Sequence, residues 1–98
     1  MRVPKKIKVG DWFYGVKKRK KINRDGVDCL GETDFNKKTI TLVYPYPSLK
    51  HTLLHELLHT VEEHLGRKLG TEDQIDSIAH CLRMVFLDNP RLLKILKK

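Results

Sequence analysis

Two histidines and a glutamate in the run HELLH, at residues 55–59, are the side chains best suited to chemistry. If this run is helical, the imidazoles of His55 and His59 lie on one face, about 40° apart in projection. Neutral imidazole is a preferred zinc ligand, and a catalytic zinc keeps one position for water beside three protein ligands. Glu56 lies about 100° round the helix from His55, so it can act on that water as a general base. This pattern indicates a zinc hydrolase.

The residues around HELLH predict the helix that it requires. Ser48 after Pro47 is a suitable N-cap and Gly66 a suitable stop, so we expect one helix of about five turns over residues 49–66. One stripe of this helix is apolar and contains Leu54, Leu57, Leu58, Val61 and Leu65. A second stripe at its edge contains His51, His55, His59 and Glu62. The possible ligands therefore border the core and face a partner element.

A second helix is predicted after the turn at residues 66–70. Thr71 and Gln74 fit the T-x-x-Q capping box, and Pro90 should end the helix near Asp88. Its apolar residues recur at helical spacing and are Ile75, Ile78, Ala79, Leu82, Val85 and Phe86. Two helices joined by a short turn usually pack antiparallel. The acidic residues at the start of the second helix should therefore approach the histidines and supply a third ligand.

HELLH followed after twelve residues by Glu72-x-x-x-Asp76 resembles the HExxH…ExxxD pattern of the gluzincin branch of the zincin metallopeptidases. The resemblance implies that His55, His59 and Glu72 bind zinc and that Glu56 is the general base. It also implies that Asp76 orients one of the two histidines, His59 or His55, as an outer carboxylate does. The implied reaction is hydrolysis of a peptide bond by zinc-activated water.

Small size and the order of strands, active helix and second helix look most like the compact ImmA/IrrE-type metallopeptidases and their phage-encoded relatives. The resemblance covers roughly residues 29–90. It implies an intracellular or phage-related protein substrate. It also implies that an extended peptide pairs with an edge strand at residues 39–44.

Several residues have less specific interpretations. The donor that would stabilise a tetrahedral oxyanion matches no motif position, and its candidates are His51, Tyr44, Tyr46 and His80. His64 projects away from the ligand stripe and is expected on the surface. Glu62 and Glu63 are expected on a solvated face. Glu72 has an alternative as a first-turn carboxylate that suits the helix dipole.

Upstream of the helices the chain is expected to form strands. Residues 7–16, broken at Gly10-Asp11, predict a hairpin or a bent strand, and residues 30–44 predict a second hairpin. Residues 90–98 predict a short amphipathic helix docked by its apolar side. The expected fold of residues 1–98 is one α+β domain. In it, a small antiparallel sheet of N-terminal hairpins packs on two or three helices, as in a minimal zincin-like metallopeptidase.

The composition is that of a folded chain, with 40% hydrophobic and 33% charged residues among 98. No apolar run approaches membrane length, and the first residues carry no hydrophobic segment of signal-peptide type. We therefore expect a cytoplasmic protein that does not contact membranes. Cys29 and Cys81 are too few for a cysteine zinc site and are expected to be thiols in the core.

The charge is uneven along the chain, which has a net charge of +8. Residues 1–30 carry ten basic and three acidic side chains, and the densest basic run extends from Lys17 to Lys21. This basic N-terminal region predicts either a non-specific contact with nucleic acid or only a solvated hairpin end.

Two other functional classes remain open beside the peptidase. His55-x3-His59-x4-His64 nearly repeats the three-histidine motif of YbeY-type endoribonucleases, although that motif has one more residue before its last histidine and would leave Glu56 without a role. The other class is a binding module with a structural metal or an inactive zincin fold. Some proteases of DNA–protein crosslinks also share HExxH and basic flanks, so DNA-guided cleavage is a further alternative.

Overall fold

The structure is a computed structural model that describes residues 3–45 and 47–98. These residues form six strands and three helices. The strands are β1 (Lys6–Val9), β2 (Trp12–Arg19), β3 (Ile22–Arg24), β4 (Val27–Cys29), β5 (Gly31–Asp34) and β6 (Thr39–Val43). The helices are α1 (Leu49–Leu65), α2 (Glu72–Asp88) and α3 (Leu92–Leu96).

Four strands form a sheet with the order β1-β2-β6-β5. Both predicted hairpins are present, because β1 pairs antiparallel with β2 and β5 pairs antiparallel with β6. The α+β class is confirmed. The sheet is mixed, however, rather than wholly antiparallel, because β2 and β6 run parallel. The connection that crosses from β2 to β5 carries the small β3–β4 hairpin.

The edge strand next to α1 is β5, so the expectation that residues 39–44 form this edge is wrong. β6 takes the central position because its apolar side chains Ile40 and Leu42 are fully buried in the core. β5 has the polar sequence GETD and is only partly buried along its length. A short polar strand is better suited to a solvated edge.

α1 packs between the sheet and α2. Leu53 and Leu57 contact the core cluster under the sheet, whereas Leu54 and Leu58 contact the cluster formed with α2. The single predicted stripe is therefore divided between two neighbours. Leu65, at the end of that stripe, is 52% exposed because α1 extends past both contacts.

The ends of both long helices agree with their sequence signals. Gly66 adopts the left-handed conformation with φ of 70° directly after α1. Thr71 caps α2, since its hydroxyl accepts the Gln74 N–H at 3.2 Å and the Gln74 side chain accepts the Thr71 N–H at 2.8 Å. Ser48 occupies the N-cap position of α1 but makes no side-chain cap bond. The HELLH run and the first turn of α2 are thereby fixed relative to each other.

The C-terminal arm, residues 84–98, is largely exposed. α3 has no buried residue, so its expected docking is wrong. The first half of α2 makes the buried contacts with α1, at Ile75 and Ala79, and the arm lies beyond them. Cys81 is likewise exposed rather than in the core, while Cys29 is partly buried and both are free thiols. No helix within the described residues is long and apolar enough to cross a membrane.

Candidate metal centre

Three side chains bring potential ligand atoms together between α1 and α2. His59 Nε2 lies 3.2 Å from His55 Nε2 and 3.0 Å from Glu72 Oε1. His55 Nε2 lies 2.9 Å from Glu72 Oε2. Donors that bind a tetrahedral zinc ion at about 2.0–2.1 Å lie about 3.3 Å from one another. Two imidazoles and a carboxylate at these separations can hold a metal ion, and this donor set suits zinc.

The helix connection explains why Glu72 reaches the histidines. The capping box makes Glu72 the first residue of α2, and the antiparallel packing of α2 on α1 places that first turn beside HELLH. The Glu72 side chain is 74% exposed, whereas those of His55 and His59 are 16% and 20% exposed. The centre is therefore walled by the helices and open to solvent on the Glu72 side.

Asp76 contacts His55 at Nδ1, the ring nitrogen that does not face the other ligand atoms. It is His55, not His59, that Asp76 contacts. Its Oδ1 lies 3.3 Å from His55 Nδ1 and 2.7 Å from His51 Nε2. The hydrogen bond with His51 is the main reason that the pKa of Asp76 lies below its ordinary value, and the contact with His55 adds to the effect. His51, one of the candidate oxyanion donors, is thus engaged with Asp76.

Glu62 contacts His59, which makes its expected place on a solvated face wrong. Its Oε1 lies 2.7 Å from His59 Nδ1, and its Oε2 accepts the Leu69 N–H at 2.7 Å. The Glu62 side chain is only 12% exposed. The i,i+3 spacing between His59 and Glu62 is the sequence signal that could have identified this contact.

The electrostatics of this pair follow from its contacts. Burial raises the pKa of Glu62, but the Leu69 N–H and His59 outweigh it, so the pKa lies below its ordinary value. Burial lowers the pKa of His59, yet the hydrogen bond to Glu62 and the charges of Glu72 and Glu56 outweigh it and raise the pKa. The carboxylates around His59 therefore favour a cation at this point.

Both histidines have a carboxylate at Nδ1 and the other ligands at Nε2. An ionised carboxylate only accepts hydrogen bonds, so Asp76 and Glu62 favour a ring hydrogen on Nδ1 of His55 and His59 when a metal occupies the centre. The Nε2 lone pairs then point to the centre, which is the tautomer that a metal ligand needs.

Glu56 lies beside the centre on the side of the sheet. It is buried, with 7% of the residue exposed, and Thr33 in β5 donates its hydroxyl hydrogen to Glu56 Oε1 at 2.7 Å. Glu56, His59 and Glu72 line one cleft, which Arg24 of β3 also lines. A carboxylate and a cation therefore border the same space as the possible ligands.

The contact between α1 and the edge strand depends on a glycine. A Cβ atom at Gly31 would lie 2.7 Å from Thr52 Cγ2 and 3.2 Å from Glu56 Cγ. No side chain fits there without displacing the helix or the strand. The absence of a side chain at Gly31 lets β5 approach Glu56 closely enough for the Thr33 hydrogen bond.

The remaining predicted residues lie away from the three ligands. His64 is exposed, as expected, and packs against Gly10 in the β1–β2 turn. The His80 ring lies 6.3 Å from that of His51, on the far side of Asp76. Tyr44 lies under the Lys18 ammonium group, 4.8 Å from ring centroid to Nζ. Tyr46, another oxyanion candidate, lies outside the described residues.

Thr33 and Arg24 are the neighbours of Glu56 that the sequence interpretation did not find. Neither belongs to a motif. Thr33 lies on β5, which packs on α1, and Arg24 lies on the β3–β4 hairpin and lines the same cleft as Glu56. Their place depends on contacts between distant parts of the chain, for which the sequence carries no local signal.

The chain matches no profile of a known protein family, no curated protein and no solved structure. The gluzincin resemblance therefore stays a prediction from the sequence.

Proposed function

We propose that this chain is a zinc-dependent peptidase in which His55, His59 and Glu72 bind the metal and Glu56 is the general base. The observation that carries the proposal is the convergence of two histidine Nε2 atoms and a carboxylate next to a second, buried carboxylate. A structural metal site needs four protein ligands and no base. Three ligands with a neighbouring glutamate instead support hydrolysis.

The chain's own side chains divide the chemical tasks. A zinc ion at this centre supplies Lewis-acid activation of a water molecule and of the scissile carbonyl. Thr33 engages Oε1 of Glu56, which leaves Oε2 to accept the proton of the attacking water and deliver it to the leaving amine. Asp76 and Glu62 hold the two imidazoles in the orientation that binding requires.

An extended peptide is the substrate that the edge strand supports. Val43 N–H donates to the Leu30 carbonyl at 2.9 Å, and these two residues lie one pair beyond Gly31 and Leu42 in the register of β5 and β6. Hydrogen-bonded and non-hydrogen-bonded pairs alternate in an antiparallel ladder. Because Leu30 and Val43 form a hydrogen-bonded pair, Gly31 and Thr33 belong to non-hydrogen-bonded pairs, and their main-chain N–H and C=O groups point to the open edge. Substrate main chain could pair with them beside Glu56. We accordingly propose a protein or peptide substrate, within the intracellular or phage-related class that the sequence predicts.

The endoribonuclease alternative is less favourable. It requires a third histidine at the metal, but His64 packs against Gly10 in the β1–β2 turn. The same alternative leaves Glu56 without a task.

Glu56→Gln tests the proposal against its control Glu63→Gln, which changes an exposed glutamate of the same helix. We expect both variants to retain about one zinc per chain by elemental analysis. Hydrolysis of an unfolded protein such as casein should fall by several orders of magnitude in Glu56→Gln alone. Loss of zinc in Glu56→Gln would make this residue a ligand. Equal activity of the two variants, or an equal zinc content of the wild type and His55→Ala/His59→Ala, would overturn the proposal.

A further inference from the structure

The half of the sheet formed by β1 and β2 has one face that no described element covers with buried contacts. Tyr14 and Val16 point into the core against α1, so Phe13, Lys17 and Arg19 point to the opposite side. All three are exposed. This outward side of β2 lies across the sheet from the metal centre.

β1 adds two more cations to the same side. Lys8 lies opposite Phe13 and Lys6 lies opposite Gly15, and residues directly opposite in a sheet share a face. We define the basic face as the five side chains Lys6, Lys8, Phe13, Lys17 and Arg19. It carries four positive charges and one aromatic ring.

The charges of this face are not neutralised within the described part of the chain. The one lysine or arginine ion pair found there joins Lys21 to Asp28 at 3.9 Å, outside the basic face. Like charges gathered on one face of the molecule repel each other, and this repulsion destabilises the compact state. A net charge of +8 adds to this repulsion. An anionic partner would remove the cost, so the face is complementary to a polyanion.

The aromatic ring at one end of the face restricts which kind of polyanion fits it. Phe13 is 56% exposed, and the Nζ atoms of Lys6 and Lys8 lie 5.3 and 5.8 Å from its ring centroid. These cation–π contacts hold positive charge next to an accessible ring. The neighbouring position, Gly15, has open space where a side chain would stand. A planar group can therefore approach the ring.

We infer that the basic face binds single-stranded nucleic acid, with phosphates on its lysines and arginine and a base stacked on Phe13. Single-strand binding sites combine a positive surface with aromatic rings on which bases stack. A duplex keeps its bases stacked internally and presents its charge without a free base for Phe13. The inference does not depend on the peptidase proposal, because it uses no residue of the metal centre.

Binding of fluorescein-labelled oligo(dT) and oligo(U) to the full chain, measured by fluorescence anisotropy at low and moderate salt, tests the inference. Lys6→Gln/Lys8→Gln should weaken binding and reduce the steepness of its salt dependence by about 0.7 per lost phosphate contact. The matched control is Lys94→Gln/Lys97→Gln, which removes the same charge from the C-terminal arm. It should retain affinity close to that of the wild type.

The aromatic ring is tested separately. Phe13→Ala should weaken oligonucleotide binding by about 5- to 100-fold, whereas Phe86→Ala, which removes an exposed ring of the C-terminal arm, should not. Circular dichroism shows whether each variant folds, and Phe13→Leu gives a second variant if alanine disturbs the hairpin.

Three results would overturn the inference. One is equal weakening by the two lysine double variants, which would mean that net charge alone attracts the oligonucleotide. Another is unchanged affinity in both Phe13→Ala and Phe13→Leu. The third is binding to phosphatidylserine vesicles or polyglutamate without binding to either oligonucleotide, which would assign the face to a membrane surface or an acidic protein.

Discussion

Thr33 donates its hydroxyl hydrogen to Glu56 Oε1 at 2.7 Å, which joins the edge strand of the sheet to the helix that carries HELLH. The two residues are 23 positions apart in the sequence. Under the proposed mechanism the strand that pairs with substrate also orients the general base. Alignment of the peptide and of the proton acceptor then depends on one hydrogen bond.

Thr33→Val removes this bond and keeps the shape of the side chain. We expect kcat for peptide hydrolysis to fall about 10- to 100-fold, because a hydrogen bond to a charged group contributes about 1.5–3 kcal/mol. Zinc content should not change. Thr33→Ser, which restores the hydroxyl, should recover most of the activity. Equal kcat values in the valine and serine variants would show that Glu56 does not need this donor.

Glu72→Ala should lower zinc affinity more than substitution of Asp76 or Glu62, the carboxylates that contact the histidines at Nδ1, because it removes a ligand atom from the centre. Asp73→Ala, the next residue of the same helical turn, is the control and should have little effect. Competition with a chromogenic chelator measures both affinities. Comparable zinc affinity in the two variants would mean that Glu72 is not a metal ligand and only interacts favourably with the dipole of α2.

Glu62→Gln and Asp76→Asn should each weaken zinc binding by about 10- to 100-fold, since an outer carboxylate fixes the tautomer and orientation of a ligand histidine. Glu62 is the more buried of the two and also accepts the Leu69 N–H, so its substitution should have the larger effect. The same chelator competition ranks them. A silent Glu62→Gln variant would contradict the role assigned to its contact with His59.

Glu62 should also make the metal-free protein sensitive to acid. Its pKa in the folded state lies below the ordinary value of 4.5. The carboxylate therefore contributes stability that is present above the unfolded-state pKa and is lost as pH falls through the lower folded-state pKa. Urea unfolding of chelator-treated protein between pH 6 and pH 3 should show a smaller loss of unfolding free energy in Glu62→Gln than in wild type or Glu63→Gln. Identical pH profiles would contradict this assignment.

Gly31→Ala should destabilise the fold by about 1–3 kcal/mol, because the new methyl group meets the buried Thr52 side chain at the contact of β5 with α1. The control is Gly15→Ala, where no atom lies within 4 Å of the added Cβ. Thr52→Ser removes the methyl group that clashes, so Gly31→Ala/Thr52→Ser should regain part of the loss. Urea unfolding measures all three. Equal stability of the two glycine variants would mean that the strand and helix can separate without cost.

Local signals predicted a large part of the metal centre. HELLH, the T-x-x-Q cap and the glycine-ended helix each depend on residues within a few positions, so their outcome follows from helix geometry. The approach of Glu72 to His55 and His59 followed in turn from the short connection. The roles of these residues remain predictions until metal and activity are measured.

Long-range packing decided what the sequence did not predict. Thr33 reaches Glu56 only because β6 enters the centre of the sheet and leaves β5 at the edge. Glu62 carried an i,i+3 signal, but a charged residue on a helix is usually solvated, and the bond to Leu69 depends on the following turn. The docking of α3 failed as a prediction because an amphipathic pattern does not specify which surface covers it.

The C-terminal arm should make self-association of the chain depend on ionic strength. Leu93, Ile95 and Leu96 are more than half exposed, and basic side chains lie beside them on the same short segment. At low salt, copies of the chain repel one another through their positive charge. Added salt screens that repulsion and leaves the apolar contacts intact, so light scattering should show that self-association increases with salt concentration.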